Sequence, residues 1–210
     1  MVPTDGTFIG LQLIFVEYSA YLCGMSRLND FLDKVNMTEL YDYCLAHGAI
    51  VRYAKGETMV KEGEVCRHVG IVKSGYFKYV SNGSAGQECV TGFSFIGDVV
   101  TDYVRSFLFD KPSYSSIVAG CDAEVIILPL EELRSYILEC NPAFMRNASS
   151  ILLQEAYRRY LDMHTMTAAE RYAMLCERFK EDIHIISVSE LASYLAVSRR
   201  QLNRIRDGKR

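Results

Sequence analysis

The sequence predicts an α+β chain: an N-terminal double-stranded β-helix (β-roll), a long dimerisation helix, and a C-terminal helical domain ending in a helix-turn-helix. Three observations predict it. Nine of the 14 glycines fall between Gly56 and Gly120, and none lies between Cys121 and Asp207. Asn141-Pro142 opens an unbroken helical pattern. Three helix-capping signatures then follow between Thr167 and Gln201.

Composition bounds the rest. The chain has 210 residues, 50% apolar and 23% charged, which is globular composition for one to two domains. No stretch reaches the roughly 18 uncharged apolar residues of a spanning helix, so no membrane association is expected. The net charge of −3 hides an asymmetry: residues 146–210 hold 12 of the 23 Lys+Arg and 8 of the 26 Asp+Glu, a balance of +4. Residues 1–145 keep 11 and 18, a balance of −7, so an acidic module carries a basic tail suited to nucleic acid.

The seven cysteines are scattered singly, without CxxC spacing, which reads as reduced thiols in a cytoplasmic protein rather than a zinc or iron–sulfur site. The four histidines are dispersed, and only His68 lies among the strands. No H-x-H, G-x-S-x-G or P-loop spacing occurs, so the reading is a non-enzyme without metal or cofactor, even on a cupin-like barrel.

Residues 1–25 form an N-terminal extension. Thr7 to Gly24 is apolar apart from Glu17 yet lacks a basic n-region, so it reads as the product of a misassigned start ahead of Met25, or as an extra helix packed on the domain. Over 26–140, glycines punctuate strand-like runs, because glycine accepts positive φ at no steric cost. The runs are Ile50–Tyr53, Val69–Val72, Tyr76–Val80, Cys89–Phe95, Ser115–Ala119 and Val125–Leu128, with a hairpin turn at Ser81-Asn82-Gly83.

A short helix is expected over Leu130–Leu138. The long helix occupies 141–164, with asparagine as N-cap and proline at the first helical position. Ala148, Leu152, Ala156 and Tyr160 step by four, while Phe144, Ile151, Leu153, Tyr157 and Leu161 cover other faces. A helix apolar on more than one side has two partners, here its own barrel and a second copy of itself. Met163–Met166 is the expected hinge into the last domain, 165–210.

In that domain Thr167-x-x-Glu170, Ser187-x-x-Glu190 and Ser198-x-x-Gln201 each have the capping-box form, which calls for three successive helices. The last two, Ser187–Leu195 and Ser198–Asp207, meet at Ala196-Val197, with Leu191, Ala192, Leu195, Leu202 and Ile205 facing inward. Arg199, Arg200, Gln201, Asn203, Arg204 and Arg206 are left outside. Arginine forks match guanine and phosphate, and Asn and Gln match adenine, so double-stranded DNA is the expected partner.

These segments carry a resemblance. Lys55-Gly56-Glu57, Glu62-Gly63-Glu64, Ile71–Gly75 and Phe95-Ile96-Gly97-Asp98, followed by the long helix and the helix-turn-helix Val188–Arg204, resemble the CRP/FNR family of bacterial transcription regulators. The resemblance covers roughly residues 26–210. It implies a homodimer on a palindromic operator, an effector held by the β-roll, and RNA polymerase as a further partner. It also implies Ser189 and Ser198 as DNA contacts, with Arg199, Arg200 and Arg204 at base-reading positions beside Gln201 and Asn203. The family often has an acid where Arg200 stands.

By the same resemblance Ile71, Gly97, Asp98, Tyr114, Ser115 and Ser116 mark the effector pocket. Cyclic-nucleotide binders of the family place an arginine near the last of these. None stands there here, so a small molecule other than cyclic AMP is expected. The cysteine cluster of the oxygen-sensing branch is missing too. The chain ends three residues after the second helix, without the family's β-hairpin wing, so Lys209 and Arg210 would serve as a short basic tail in weaker, salt-dependent binding. The alternative reading is a ligand-sensing or protein-interaction module with a degenerate helix-turn-helix.

Overall fold

The computed structural model describes residues 38–179 and 182–208; the expectations for the N-terminal extension and for Lys209 and Arg210 lie outside the described residues. Helix α1 (Thr38–His47) precedes eight strands: β1 (Ala49–Tyr53), β2 (Thr58–Val60), β3 (His68–Ser74), β4 (Phe77–Asn82), β5 (Glu88–Ser94), β6 (Val99–Val100), β7 (Ser116–Ala119) and β8 (Ala123–Pro129). Five helices follow: α2 (Leu130–Cys140), α3 (Pro142–Thr165), α4 (Ala168–Phe179), α5 (Val188–Tyr194) and α6 (Arg199–Arg206).

The strands build two antiparallel four-stranded sheets in the orders β1-β8-β3-β6 and β2-β7-β4-β5, which is the expected β-roll. Inward side chains alternate along the strands, as the period of two demands. Val60, Val72, Phe77, Val100, Ile117 and Val125 fill the space between the sheets. A second cluster joins Val69, Ile71 and Leu128 of the roll to Leu40 and Cys44 of α1, Leu133 and Ile137 of α2, and Phe144 and Ala148 of α3. Burial pushes the Cys44 thiol up to about 12, so it behaves as an apolar side chain.

Gly75 shows what the glycine punctuation is for. Its φ is +75°, and a Cβ there would stand 2.5 Å from the Asp122 carbonyl oxygen. The hairpin between β4 and β5 differs from its expected place. The strand continues through Asn82, and the turn runs from Gly83 to Gln87, closed by Gly83 N–H to the Gln87 carbonyl at 2.8 Å. β2 and β6, three and two residues long, leave no readable period in the sequence.

Pro142 opens α3 as expected, although Asn141 at the N-cap makes no side-chain capping bond. The helix runs through Thr165, and Met166 leaves it with extended backbone (φ −105°, ψ 146°). The break into α4 is therefore Met166-Thr167, and Met163–Thr165, expected in the hinge, are helical. Thr167 then caps α4: its N–H donates to Glu170 Oε2 at 2.8 Å, and the Glu170 N–H donates back to its hydroxyl.

Candidate functional site

The C-terminal helix pair is assembled from its caps. Ser187 Oγ accepts the Glu190 N–H at 3.2 Å while Glu190 Oε2 accepts the Ser187 N–H at 3.0 Å, a complete capping box on α5. On α6 only half the box forms: Ser198 Oγ accepts the Gln201 N–H at 3.1 Å. Between the helices Ala196 adopts φ +54°, an uncommon conformation for a residue with a Cβ, and Val197 N–H reaches the Ala192 carbonyl at 3.0 Å. The small Ala192 lies buried beside Leu191, Leu195 and Leu202. From α4, the Arg171 guanidinium donates to the carbonyls of Met166 (2.7 Å) and Leu195 (3.1 Å), tying the α3–α4 break to the C-cap of α5.

Leu202 fixes the rotation of α6. It is fully buried, so at 100° per residue Arg200 and Arg204 come round to the far side, about 160° away, while Asn203 and Arg199 stand about 100° and 60° round on one flank; all four are exposed. Gln201 and Arg206 flank them, also exposed. Ser189 joins this group through its hydroxyl, 3.5 Å from Arg199 Nη1. The Ser198 hydroxyl is exposed but engaged as the cap.

α5 is docked on the β-roll. Ser193 Oγ accepts the Val90 N–H of edge strand β5 at 2.9 Å. Glu190 Oε1 accepts Lys78 Nζ at 2.8 Å and Oε2 accepts the Tyr76 hydroxyl at 3.1 Å. Burial raises the Glu190 pKa, but the Lys78 ammonium and the Ser187 donors outweigh it and hold the carboxyl below its ordinary value. Tyr76, Phe93 and Phe95 of the roll share one apolar cluster with Leu175, Phe179, Leu191 and Leu195.

The stripe expected to face a second copy splits along α3. Ala148 is packed into the chain's own core, Leu152 is half-buried, and Ala156 and Tyr160 are exposed. The cause is geometric: each step of four residues turns 40° about the axis, so a stripe that begins inward ends outward. The outward apolar face is instead Leu153, Tyr157, Tyr160 and Leu161, with the rings of Tyr157 and Tyr160 stacked at 6.5 Å.

A cavity of about 400 Å³ lies between the roll and α3. Phe93, Val99, Phe107, Phe144 and Leu152 give it an apolar wall, and Thr101, Asp102 and Arg159 add polar groups. Burial pushes the phenol of Tyr79, which also lines it, up to about 12. None of the six residues marked for the effector pocket reaches this lining. Ile71 is buried in the core among Leu40, Phe107 and Leu128. Gly97 and Asp98 form a turn, with Gly97 at φ +82° and Asp98 Oδ2 accepting the Phe95 N–H at 2.9 Å. Tyr114 is exposed beneath the Arg105 guanidinium. Ser115 bonds Ser81 at 2.7 Å, and Ser116 Oγ accepts the Glu62 N–H.

Thr101 and Asp102 reach the cavity from four residues further along. Asp102 caps a single wide turn, Tyr103–Phe107, accepting the N–H groups of Arg105 and Ser106 and the Ser106 hydroxyl. The available sequence signal was an aspartate three and four residues ahead of those donors. The turn also positions Tyr103, whose hydroxyl lies 3.0 Å from Ser149 on α3. Among the described residues no group of three His, Cys, Asp or Glu side chains is placed to hold a metal. No described helix is long and apolar enough to cross a membrane.

Residues 50–140 match the cyclic nucleotide-binding domain family, which spans the roll and α2. Among solved structures, FixK2 from Bradyrhizobium japonicum superposes with a TM-score of 0.64 at 18% identity, over 77% of this chain and 83% of that one. A CooA variant from Carboxydothermus hydrogenoformans gives 0.60 at 17% identity, over 83% and 84%. A protein from Eubacterium rectale described as a transcriptional regulator of the Crp/Fnr family gives 0.61 at 15%, over 83% of each chain. The chain thus has the fold of the CRP/FNR regulators. No curated protein matches it.

Proposed function

We propose that this chain is a sequence-specific, DNA-binding transcription regulator of the CRP/FNR type. It acts in the cytoplasm as a homodimer on palindromic operators, with RNA polymerase as a further partner, and it performs no catalysis. The observation that carries the reading is the rotation of α6: Leu202 is buried, and Arg199, Arg200, Asn203 and Arg204 are turned to solvent. Four groups able to reach base edges and phosphates on one face of a capped helix suit a major groove. Ser189 and Ser198 flank them as phosphate contacts, with Gln201 beside. The outward face of α3, centred on Leu153, Tyr157 and Tyr160, is the surface that meets the second copy.

The effector enters the cavity between the roll and α3. The one basic residue in its described lining is Arg159, on the helix rather than on the roll, and the wall is mainly apolar. A buried cyclic phosphate needs a cation and backbone donors, so cyclic AMP is a poor fit.

Selection of bound sequences from random duplex DNA, at two salt concentrations, tests the reading. Recovery of a two-fold palindrome with half-sites about one helical turn apart is the expected result. Sequence-independent binding that simply disappears at high salt would overturn it.

A further inference from the structure

The cavity and the docking of α5 share two side chains. Phe93 lines the cavity, and its ring centroid stands 5.4 Å from that of Tyr194 on α5. Arg159 lines it as well; its guanidinium carbon sits 4.8 Å from the Tyr194 ring centroid, and Nη2 donates to the Thr91 carbonyl at 3.2 Å. Asp102, the one acid in the described lining, is committed to the three donors of the turn it caps. The lining therefore offers one basic group to a mainly apolar space, and its present partners are a neutral carbonyl and an aromatic face.

We propose that the cavity takes a small apolar acid, a carboxylate on a hydrocarbon or aryl body, and that Arg159 receives its head. The volume, about 400 Å³, falls in the range of small-molecule sites. The body lies against Phe93, Phe107, Phe144 and Leu152, where apolar area leaves water. The head makes a charge-assisted pair with the guanidinium, a stronger bond than the one to the Thr91 carbonyl. As Arg159 turns to the acid it leaves Tyr194, and α5 loses a tether to α3. The acid thus loosens the helix that carries Glu190 and Ser193 against the roll. The ligand assignment stands on the cavity alone. Its meaning for DNA rests on the regulator reading.

The experiment titrates decanoate, with decanol as its uncharged counterpart, into the full chain by calorimetry, and follows amide exchange at Val90 and along α5. Decanoate is expected to bind at least tenfold more tightly than decanol. Arg159→Gln should remove that advantage and leave decanol affinity unchanged, and, lacking the Tyr194 tether, it should show raised exchange in α5 already without ligand. Arg159→Lys should restore part of it. Leu152→Trp, which fills the cavity, should abolish binding of both compounds. Exchange at Val90 and in α5 should rise with decanoate in the wild type only. Equal affinity for the two compounds, an advantage that survives Arg159→Gln, or no binding by either would overturn the ligand. Tight binding with unchanged exchange would overturn the link to α5. Failure of the operator selection would sink the regulator reading and leave the decanoate result standing.

Discussion

Lys78 on β4 and Glu190 on α5, 112 residues apart, form an ion pair of 2.8 Å in which the side chains are only 18% and 14% exposed. The same carboxylate closes the capping box of α5. One side chain thus starts the helix and holds it on the roll. Lys78→Met would leave a shielded carboxylate without its cation, at an expected cost of about 3 kcal/mol. The double variant Lys78→Met/Glu190→Gln should recover more than half, since glutamine still satisfies the capping box. Urea unfolding of the four forms of this cycle measures both values. A double variant no more stable than the single one would refute the pairing.

The pH dependence of the dock has a definite sign. Glu190 is held below its ordinary value of 4.5 despite burial. A carboxyl with a depressed folded-state pKa contributes stability that is complete above the unfolded value and is lost as pH falls through the folded one. The contribution is therefore full at neutral pH and declines below 4.5. Urea midpoints between about pH 3 and pH 6 should fall less steeply for Glu190→Gln than for the wild type.

Ala196 strains the turn between α5 and α6. Glycine accepts its φ of +54° freely, whereas a Cβ in the left-handed region costs about 1–2 kcal/mol. Against this, glycine has more freedom to lose on folding, so Ala196→Gly should stabilise the chain by about 0.5–1 kcal/mol. Thermal melts would register a rise of a few degrees, with DNA affinity unchanged.

Arg199→Ala, Arg200→Ala and Arg204→Ala should each lower operator affinity by about 1–3 kcal/mol and relax specificity at one base pair. Fluorescence anisotropy with operator and scrambled duplexes separates base reading from phosphate contact. Ser198→Ala differs in kind. It removes the cap of α6 and should cost about 1 kcal/mol of folding stability as well.

On α3, Tyr157→Glu places a charge in the exposed aromatic face and should convert a dimer to a monomer in sedimentation velocity. The fold should survive, because Tyr157 is 61% exposed and outside the core clusters. A dimer unaffected by the change would remove this face as the self-association surface.

The elements legible in the sequence were those whose signal is local. Val69–Val72 and Val125–Leu128 announce buried strands by β-branched runs, and Ser187-x-x-Glu190 announces a helix start by two side chains three residues apart. Thr58–Val60 and Val99–Val100 are too short for any period to emerge. The cavity is harder still, because its wall joins Leu40, Phe93, Phe107 and Phe144 from four separate stretches. Gly97-Asp98 reads in the sequence as a pocket motif; in the structure Asp98 Oδ2 closes a turn there, and the polar lining of this cavity comes with Thr101-Asp102. On α6, by contrast, Leu202 and Ile205 among six cationic or amide residues were enough to orient the helix.

The hydrogen bond from Val90 to Ser193 has a consequence for solubility. β5 is the outer strand of its sheet, and α5 covers part of it. Any movement that lifts α5 uncovers a row of backbone donors and acceptors that can pair with a strand from another molecule. The undocked form is then the aggregation-prone one, and Ser193 on α5 doubles as a guard on the sheet.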